Sequence, residues 1–79
     1  MKYRLTIQEK LKDLRVENGL SLEQLADATG ISKSALSAYE VDENREISSY
    51  NLRILAKFYN VTSDYLLGLT NIRTPYRKK

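Results

Sequence analysis

The sequence has 79 residues, no Cys and no His, with 13 Lys and Arg against 10 Asp and Glu and a formal net charge of +3. That length allows one small domain, and the missing residue types exclude disulfides, thiolate or imidazole metal sites and a histidine general base, so no metal and no cofactor is expected. No apolar run is long enough to cross a membrane, and Met1-Lys2-Tyr3-Arg4-Leu5 lacks the apolar core of a signal peptide, which makes the cytoplasm the expected compartment.

The first predicted helix covers residues 7–18. Thr6-Ile7-Gln8-Glu9 is a capping box, Ile7, Leu11 and Leu14 share one face, and Asn18-Gly19 is a stop. The second covers 22–29. It opens on a further capping box, Ser21-Leu22-Glu23-Gln24, turns Leu22, Leu25 and Ala26 inward and stops at Gly30. Ser32 caps a third helix over 33–40, with Leu36 and Tyr39 inward. Ser48 caps a fourth over 49–59, with Leu52, Leu55, Ala56 and either Phe58 or Tyr59 inward. Thr62 caps a fifth over 63–67 that ends at Gly68.

Four of these caps are flanked by an apolar pair with hydrophobic-staple spacing: Leu20/Leu25, Ile31/Leu36, Ile47/Leu52 and Val61/Leu66. Nothing reads as a strand, so the fold class is all-α with five helices. Leu69–Lys79, with Pro75, is expected to be irregular or frayed.

Charge is unevenly placed. Lys2, Arg4, Arg73, Arg77, Lys78 and Lys79 lie at the two ends, leaving residues 5–72 with seven basic against ten acidic side chains. The body is mildly acidic, so net charge alone does not identify a polyanionic partner. Asp42, Glu43 and Glu46 read as a solvated loop.

The connection Gly30-Ile31-Ser32 is too short for two helices to lie side by side. They must cross steeply, which is helix-turn-helix geometry. Gly30 supplies a left-handed turn, Ala26 is small where the helices cross, and Ile31 plugs the crook. Lys33, Ser34, Ser37 and Ala38 then face outward. Such a surface of short or flexible groups fits a major groove, although Ser, Lys and Ala are also ordinary surface residues.

Two stretches carry a specific resemblance. One is Gly19–Ala26 followed by Thr29–Glu40; the other is Leu55-Ala56-Lys57-Phe58-Tyr59-Asn60-Val61-Thr62-Ser63-Asp64-Tyr65-Leu66-Leu67-Gly68. Together the chain resembles, over about residues 5–70, the Cro/phage-repressor (xenobiotic-response-element) helix-turn-helix family. The resemblance implies a five-helix lambda-repressor-like DNA-binding domain, placed at 1–70; the basic residues that follow read as a flexible tail over 71–79. The resemblance also implies a transcriptional regulator, acting as a repressor, that binds a near-palindromic double-stranded operator as a homodimer.

Position by position, it puts Ser32, Lys33, Ser34, Ser37 and Ala38 at bases, and Ser21, Leu22, Asn44 and Arg45 at phosphates. It pairs Arg15 with Glu40. Three departures are visible. Leu22 stands where the family usually has Gln, and Ala38 where it often has Arg. The loop Val41–Ile47 is longer by one residue, acidic and without Gly.

These departures motivate an alternative on the same fold, a protein-interaction module such as an antitoxin subunit or an antagonist of another regulator. Catalysis is not expected, because no nucleophile–base pair and no phosphate-cradling Gly loop is present. If the second and third helices are kept free for DNA, a partner copy must meet the C-terminal third. The candidates are Tyr65, Leu66, Leu69 and Ile72, with Tyr59 and Val61 at the edge, in a dimer that need form only on DNA. Leu66 and Leu67 are adjacent on a short helix, so one of them is left over for the partner.

Overall fold

A computed structural model describes residues 5–73. Within them lie five helices: α1 (Ile7–Glu17), α2 (Leu22–Thr29), α3 (Lys33–Val41), α4 (Ser49–Tyr59) and α5 (Ser63–Leu67). No strand occurs among the described residues, and none of their helices is long and apolar enough to cross a membrane. Lys2, Arg4, Pro75, Tyr76, Arg77, Lys78 and Lys79 lie outside them.

Each helix starts where a hydroxyl can accept from an otherwise orphaned backbone N–H. Thr6 accepts from Glu9 N and Ser21 from Gln24 N, and both are reciprocal capping boxes. Ser32 accepts from Ala35 N, Ser48 from Asn51 N and Thr62 from Tyr65 N. The eight staple residues belong to one apolar cluster or pack against it, so each cap also aims its helix at the core.

Helices α2 and α5 stop at Gly30 (φ 77°) and Gly68 (φ 83°). The end of α4 has no glycine. Asn60 takes the left-handed conformation there, at φ 58°, which its short polar side chain tolerates better than most.

α1 packs against α3 and α5, α3 against α2, and α4 against α5 and α2. Between them Leu25, Leu36, Leu55 and Leu66, one each from α2, α3, α4 and α5, are fully buried. Truncating any of them to Ala should cost about 2–5 kcal/mol. Leu11, Leu14, Ile31, Tyr39, Ala56, Tyr59 and Val61 complete the core. Tyr59, not Phe58, is the inward aromatic of α4; Phe58 lies edge-on against it at 5.2 Å between ring centroids and stays exposed.

Three expectations for the C-terminal third are corrected. Leu66, Tyr59 and Val61 are core residues and unavailable to a partner copy; Leu67 takes the outward place, at 54% exposure against 1% for Leu66. Two adjacent residues on one turn of helix differ by about 100° in direction, so only one can reach the core. Arg73 lies in irregular backbone, as expected, but it is not frayed, because it is pinned twice. Its carbonyl accepts from Thr62 N at 2.9 Å, and its guanidinium donates to Glu17 at 2.8 Å.

Lys10 was not singled out by its residue type, yet it is buried between α1 and α5. Its ammonium donates to the Tyr65 carbonyl and lies 4.6 Å from the centre of the Tyr65 ring. The long stem packs while the charge finds a carbonyl and a π face.

A Cβ built on Gly30 would meet nothing within 4 Å, so substitution there is opposed by backbone conformation alone. Gly30→Ala is expected to cost about 1 kcal/mol and Gly30→Val more. Thermal melts check this; a Gly30→Val melt equal to the parent's would show that the turn relaxes away from positive φ.

Candidate nucleic-acid interface

The described surface carries one feature with the form of a groove reader: α2, the three-residue turn and α3. Gly30 N donates to the Ala26 carbonyl at 2.8 Å, closing α2 at the residue where the chain reverses hand. Ile31 is 5% exposed and fills the crook. Ala26 packs against the same core. Thr29 Oγ1 donates to the Leu25 carbonyl and accepts from Ile31 N, so the turn is tied on both sides.

Outside this frame, Ser32, Lys33 and Ser34 are exposed at the start of α3, whereas Ser37 and Ala38 are half-buried. The outward surface is therefore concentrated in the first turn of α3. The Ser32 hydroxyl is engaged as the cap, and the N–H groups of the first turn point out along the helix axis, an arrangement that favours anions.

Lys33 Nζ lies 3.7 Å from Glu23 Oε2, with both side chains more than half exposed. Glu23 was not recognised from sequence as part of this site. The signal was an acid in the first turn of α2, which by itself reads only as a favourable charge at a helix N-terminus.

At the start of α2, Ser21 Oγ accepts from Gln24 N while Gln24 Oε1 accepts from Ser21 N. The hydroxyl proton stays available for donation. Leu22 is half-buried against the core and offers only its backbone outward.

Asn44 and Arg45 are exposed in the α3–α4 loop. Asp42 orders that loop from within, accepting from Asn44 N through its carboxylate at 2.9 Å and from Arg45 N through its carbonyl at 3.0 Å. The acidic character of the loop is thus partly structural, since Asp42 closes an Asx turn. The Arg45 guanidinium stands 5.5 Å from the Tyr39 ring centre, and the Tyr39 hydroxyl accepts from Asn51 Nδ2 at 2.9 Å. The loop, α3 and α4 are thereby joined.

Arg15 and Glu40 hold the back of α3. Arg15 Nε donates to Glu40 Oε2 at 2.8 Å and Nη2 to Oε1 at 3.0 Å, while Nη1 donates to the Leu20 carbonyl at 2.8 Å. The two side chains are 16% and 6% exposed. The hydrogen bond to Glu40 raises the Arg15 pKa above its usual value and outweighs the opposing effect of burial. Tyr59 lies nearby. Burial first, and the Glu40 charge second, push its hydroxyl up to about 12. That oxygen is buried without a hydrogen-bond partner among the described residues.

Of the predicted positions, the structure gathers Ser21, Ser32, Lys33 and Ser34 at the α2 and α3 N-termini, and sets Asn44 and Arg45 beyond the other end of α3. Tyr65, Leu69 and Ile72 are remote from both in sequence and follow α4. Among them Leu69 and Ile72 are exposed, while Tyr65 is half-buried under Lys10 and Arg73.

Comparison with known proteins bears on this geometry. A family model described as helix-turn-helix matches residues 11–66. The chain is 42% identical over 67 residues to the uncharacterized HTH-type transcriptional regulator YobD of Bacillus subtilis (strain 168), covering 85% of this chain and 59% of that one. It is 34% identical over 64 residues to the HTH-type transcriptional regulator ImmR of the same organism, covering 81% and 50%. It is 35% identical over 64 residues to the HTH-type transcriptional activator BcrR of Enterococcus faecalis, covering 81% and 31%. The chain thus spans less than two thirds of the length of these relatives.

A solved structure of SinR, the master regulator for biofilm formation, in complex with DNA superposes with a TM-score of 0.71 at 31% identity. The match covers 77% of this chain and 97% of that one. The five-helix, all-α arrangement is of the lambda-repressor-like kind.

Because the Arg15–Glu40 fork is neither fully buried nor exposed, removing one partner is expected to cost about 2 kcal/mol, between the limits for surface and buried pairs. A double-mutant cycle over Arg15→Ala and Glu40→Ala, read by denaturant unfolding, should give a coupling of at least about 1 kcal/mol. Additive losses would show that the two groups act independently.

Proposed function

The chain belongs to the helix-turn-helix family, and from that premise we propose that it binds double-stranded DNA sequence-specifically and regulates transcription in the cytoplasm, as a binder and not a catalyst. The observation that carries this reading is the first turn of α3. It is capped, exposed and lined by short or flexible polar groups, and it is held at a fixed attitude by the Gly30 turn in front and the Arg15 fork behind.

In this reading Lys33 and Ser34 read base edges in the major groove, with Ser32, Ser37 and Ala38 lining the approach. Ser21, the backbone at Leu22, and Asn44 with Arg45 grip phosphates on either side. The functional domain is residues 1–70, and the basic residues of 71–79 add charge beyond it.

One recognition helix contacts only a few base pairs, so specificity calls for two. We therefore propose a homodimer on a near-palindromic operator, formed on DNA and acting as a repressor by occupancy. Leu67, Leu69 and Ile72, at 54%, 73% and 67% exposure, are the apolar groups offered for that contact. Two recognition helices in such a dimer would stand about 34–36 Å apart, one turn of DNA.

The test is selection of the operator from random duplexes, followed by titration of variants. Lys33→Ala should weaken the selected site by about 1–3 kcal/mol and relax the preference at one or two base positions, while Arg45→Ala should weaken all sequences alike and lower the salt slope. No enrichment of any sequence would overturn the reading. In sedimentation, one protein per full operator would overturn the dimer.

Glu23 has a separate expected role, since Lys33 must leave it to reach DNA. Glu23→Gln should tighten duplex binding by about twofold to fivefold, the scale of an exposed ion pair. That gain should vanish in a Lys33→Ala background. A gain persisting there would mean that Glu23 repels DNA directly without holding Lys33.

A further inference from the structure

α4 presents a second face of which the core uses only part, through Ile54. Leu52, Leu55, Ala56 and Tyr59 turn inward. At about 100° per residue, positions 50, 53, 54, 57 and 58 fall within one outward arc of about 140°. Tyr50 is 67% exposed and Phe58 40%. Ile54 between them is half-buried, and Arg53 and Lys57 are exposed. Tyr50, Ile54 and Phe58 form an i, i+4, i+8 ridge of the kind that packs into a groove of another helix.

The charge of this face is also distinct. α1 carries Glu9, Asp13 and Glu17, α2 carries Glu23 and Asp27, α3 carries Glu40 and α5 carries Asp64. Among the described helices α4 alone has no carboxylate, and it has two cations. In a body whose residues 5–72 carry more acid than base, a basic face with an apolar ridge selects its partner by charge.

We propose that the outer face of α4 is a docking surface for a protein partner that presents an acidic amphipathic helix. Its apolar stripe covers Tyr50, Ile54 and Phe58, and its carboxylates pair with Arg53 and Lys57. The exposed carboxylates Glu43 and Glu46 precede α4 and repel acid at that end. The acidic part of the partner therefore lies toward Lys57. A nucleic acid is the poorer match, because Ile54 and Phe58 offer a backbone phosphate nothing. This proposal does not depend on the DNA-binding reading, which rests on α2 and α3.

The test is an NMR titration of the full chain with a synthetic amphipathic helical peptide of leucines flanked by glutamates. The same peptide with lysines in place of the glutamates serves as the comparison. Saturable shifts confined to Ser49–Tyr59 are expected with the acidic peptide. They should weaken at least tenfold in the Arg53→Glu/Lys57→Glu double variant and in Tyr50→Ala/Phe58→Ala. If the second double variant fails to fold by circular dichroism, the charge-reversed pair and the lysine peptide decide.

Equal binding of the two peptides, or shifts centred on α2 and α3, overturns the proposal. Duplex DNA titrated against Arg53→Glu/Lys57→Glu should lose less than tenfold in affinity; a greater loss assigns the face to nucleic acid. Sedimentation of the free chain should be unaltered by the same pair; a dimer abolished by it assigns the face to a second copy. Either result also overturns the proposal.

Discussion

Three residues between two helices constrain everything around them. With only Gly30, Ile31 and Ser32 available, α2 and α3 cannot run alongside one another, and the chain must reverse hand at Gly30. A steep crossing leaves a wedge-shaped gap beneath the turn, which Ile31, Leu25 and Leu36 fill. Once that wedge is packed, the rotation of α3 about its own axis is settled, because Leu36 and Tyr39 must point in. Its first turn is then left projecting, with Ser32, Lys33 and Ser34 outward. The proposed reading surface follows from the packing of the opposite side of the same helix.

A projecting helix is useful only if its far end is also held. The Arg15 guanidinium does this with a fork to Glu40 and a third hydrogen bond to the Leu20 carbonyl. One planar group thereby joins α1, the α1–α2 turn and α3, a geometry lysine could not reproduce. Beyond Glu40, Tyr39 accepts from Asn51 and lies against Arg45, which extends the same restraint into α4 and the loop. The rigid scaffold carries exposed, exchangeable residues, a division of labour that lets one fold recognise different sequences.

Electrostatics on this surface is local. The body carries more acid than base, yet several of its carboxylates are committed: Glu40 to Arg15, Glu17 to Arg73, Asp42 to its own loop, Glu9 to a cap. The Glu23 contact to Lys33 is long and exposed, the weakest of these commitments and the one nearest the proposed base-reading turn. A mildly acidic body with cations at chosen places lowers indiscriminate attraction to polyanions, which in the proposed function leaves specificity to the few groups proposed to reach base edges.

Helix positions were legible from sequence because caps and staples are written within four or five residues. A hydroxyl at Ser21 or Ser32 and the apolar pair around it can act only on the turn that follows. The helix-turn-helix was legible for the same reason, since the brevity of the Gly30–Ser32 connection is itself the constraint. The pairing of Arg15 with Glu40 was reached only through family resemblance, because nothing local links residues 25 apart. Which of Leu66 and Leu67 faces in, whether Phe58 or Tyr59 enters the core, how Lys10 comes to be buried and that Glu23 meets Lys33 were decided by tertiary structure. Each depends on the angle at which one helix meets another, and that angle is a property of the assembled core, which the chain samples only once all five helices compete for the same interior volume.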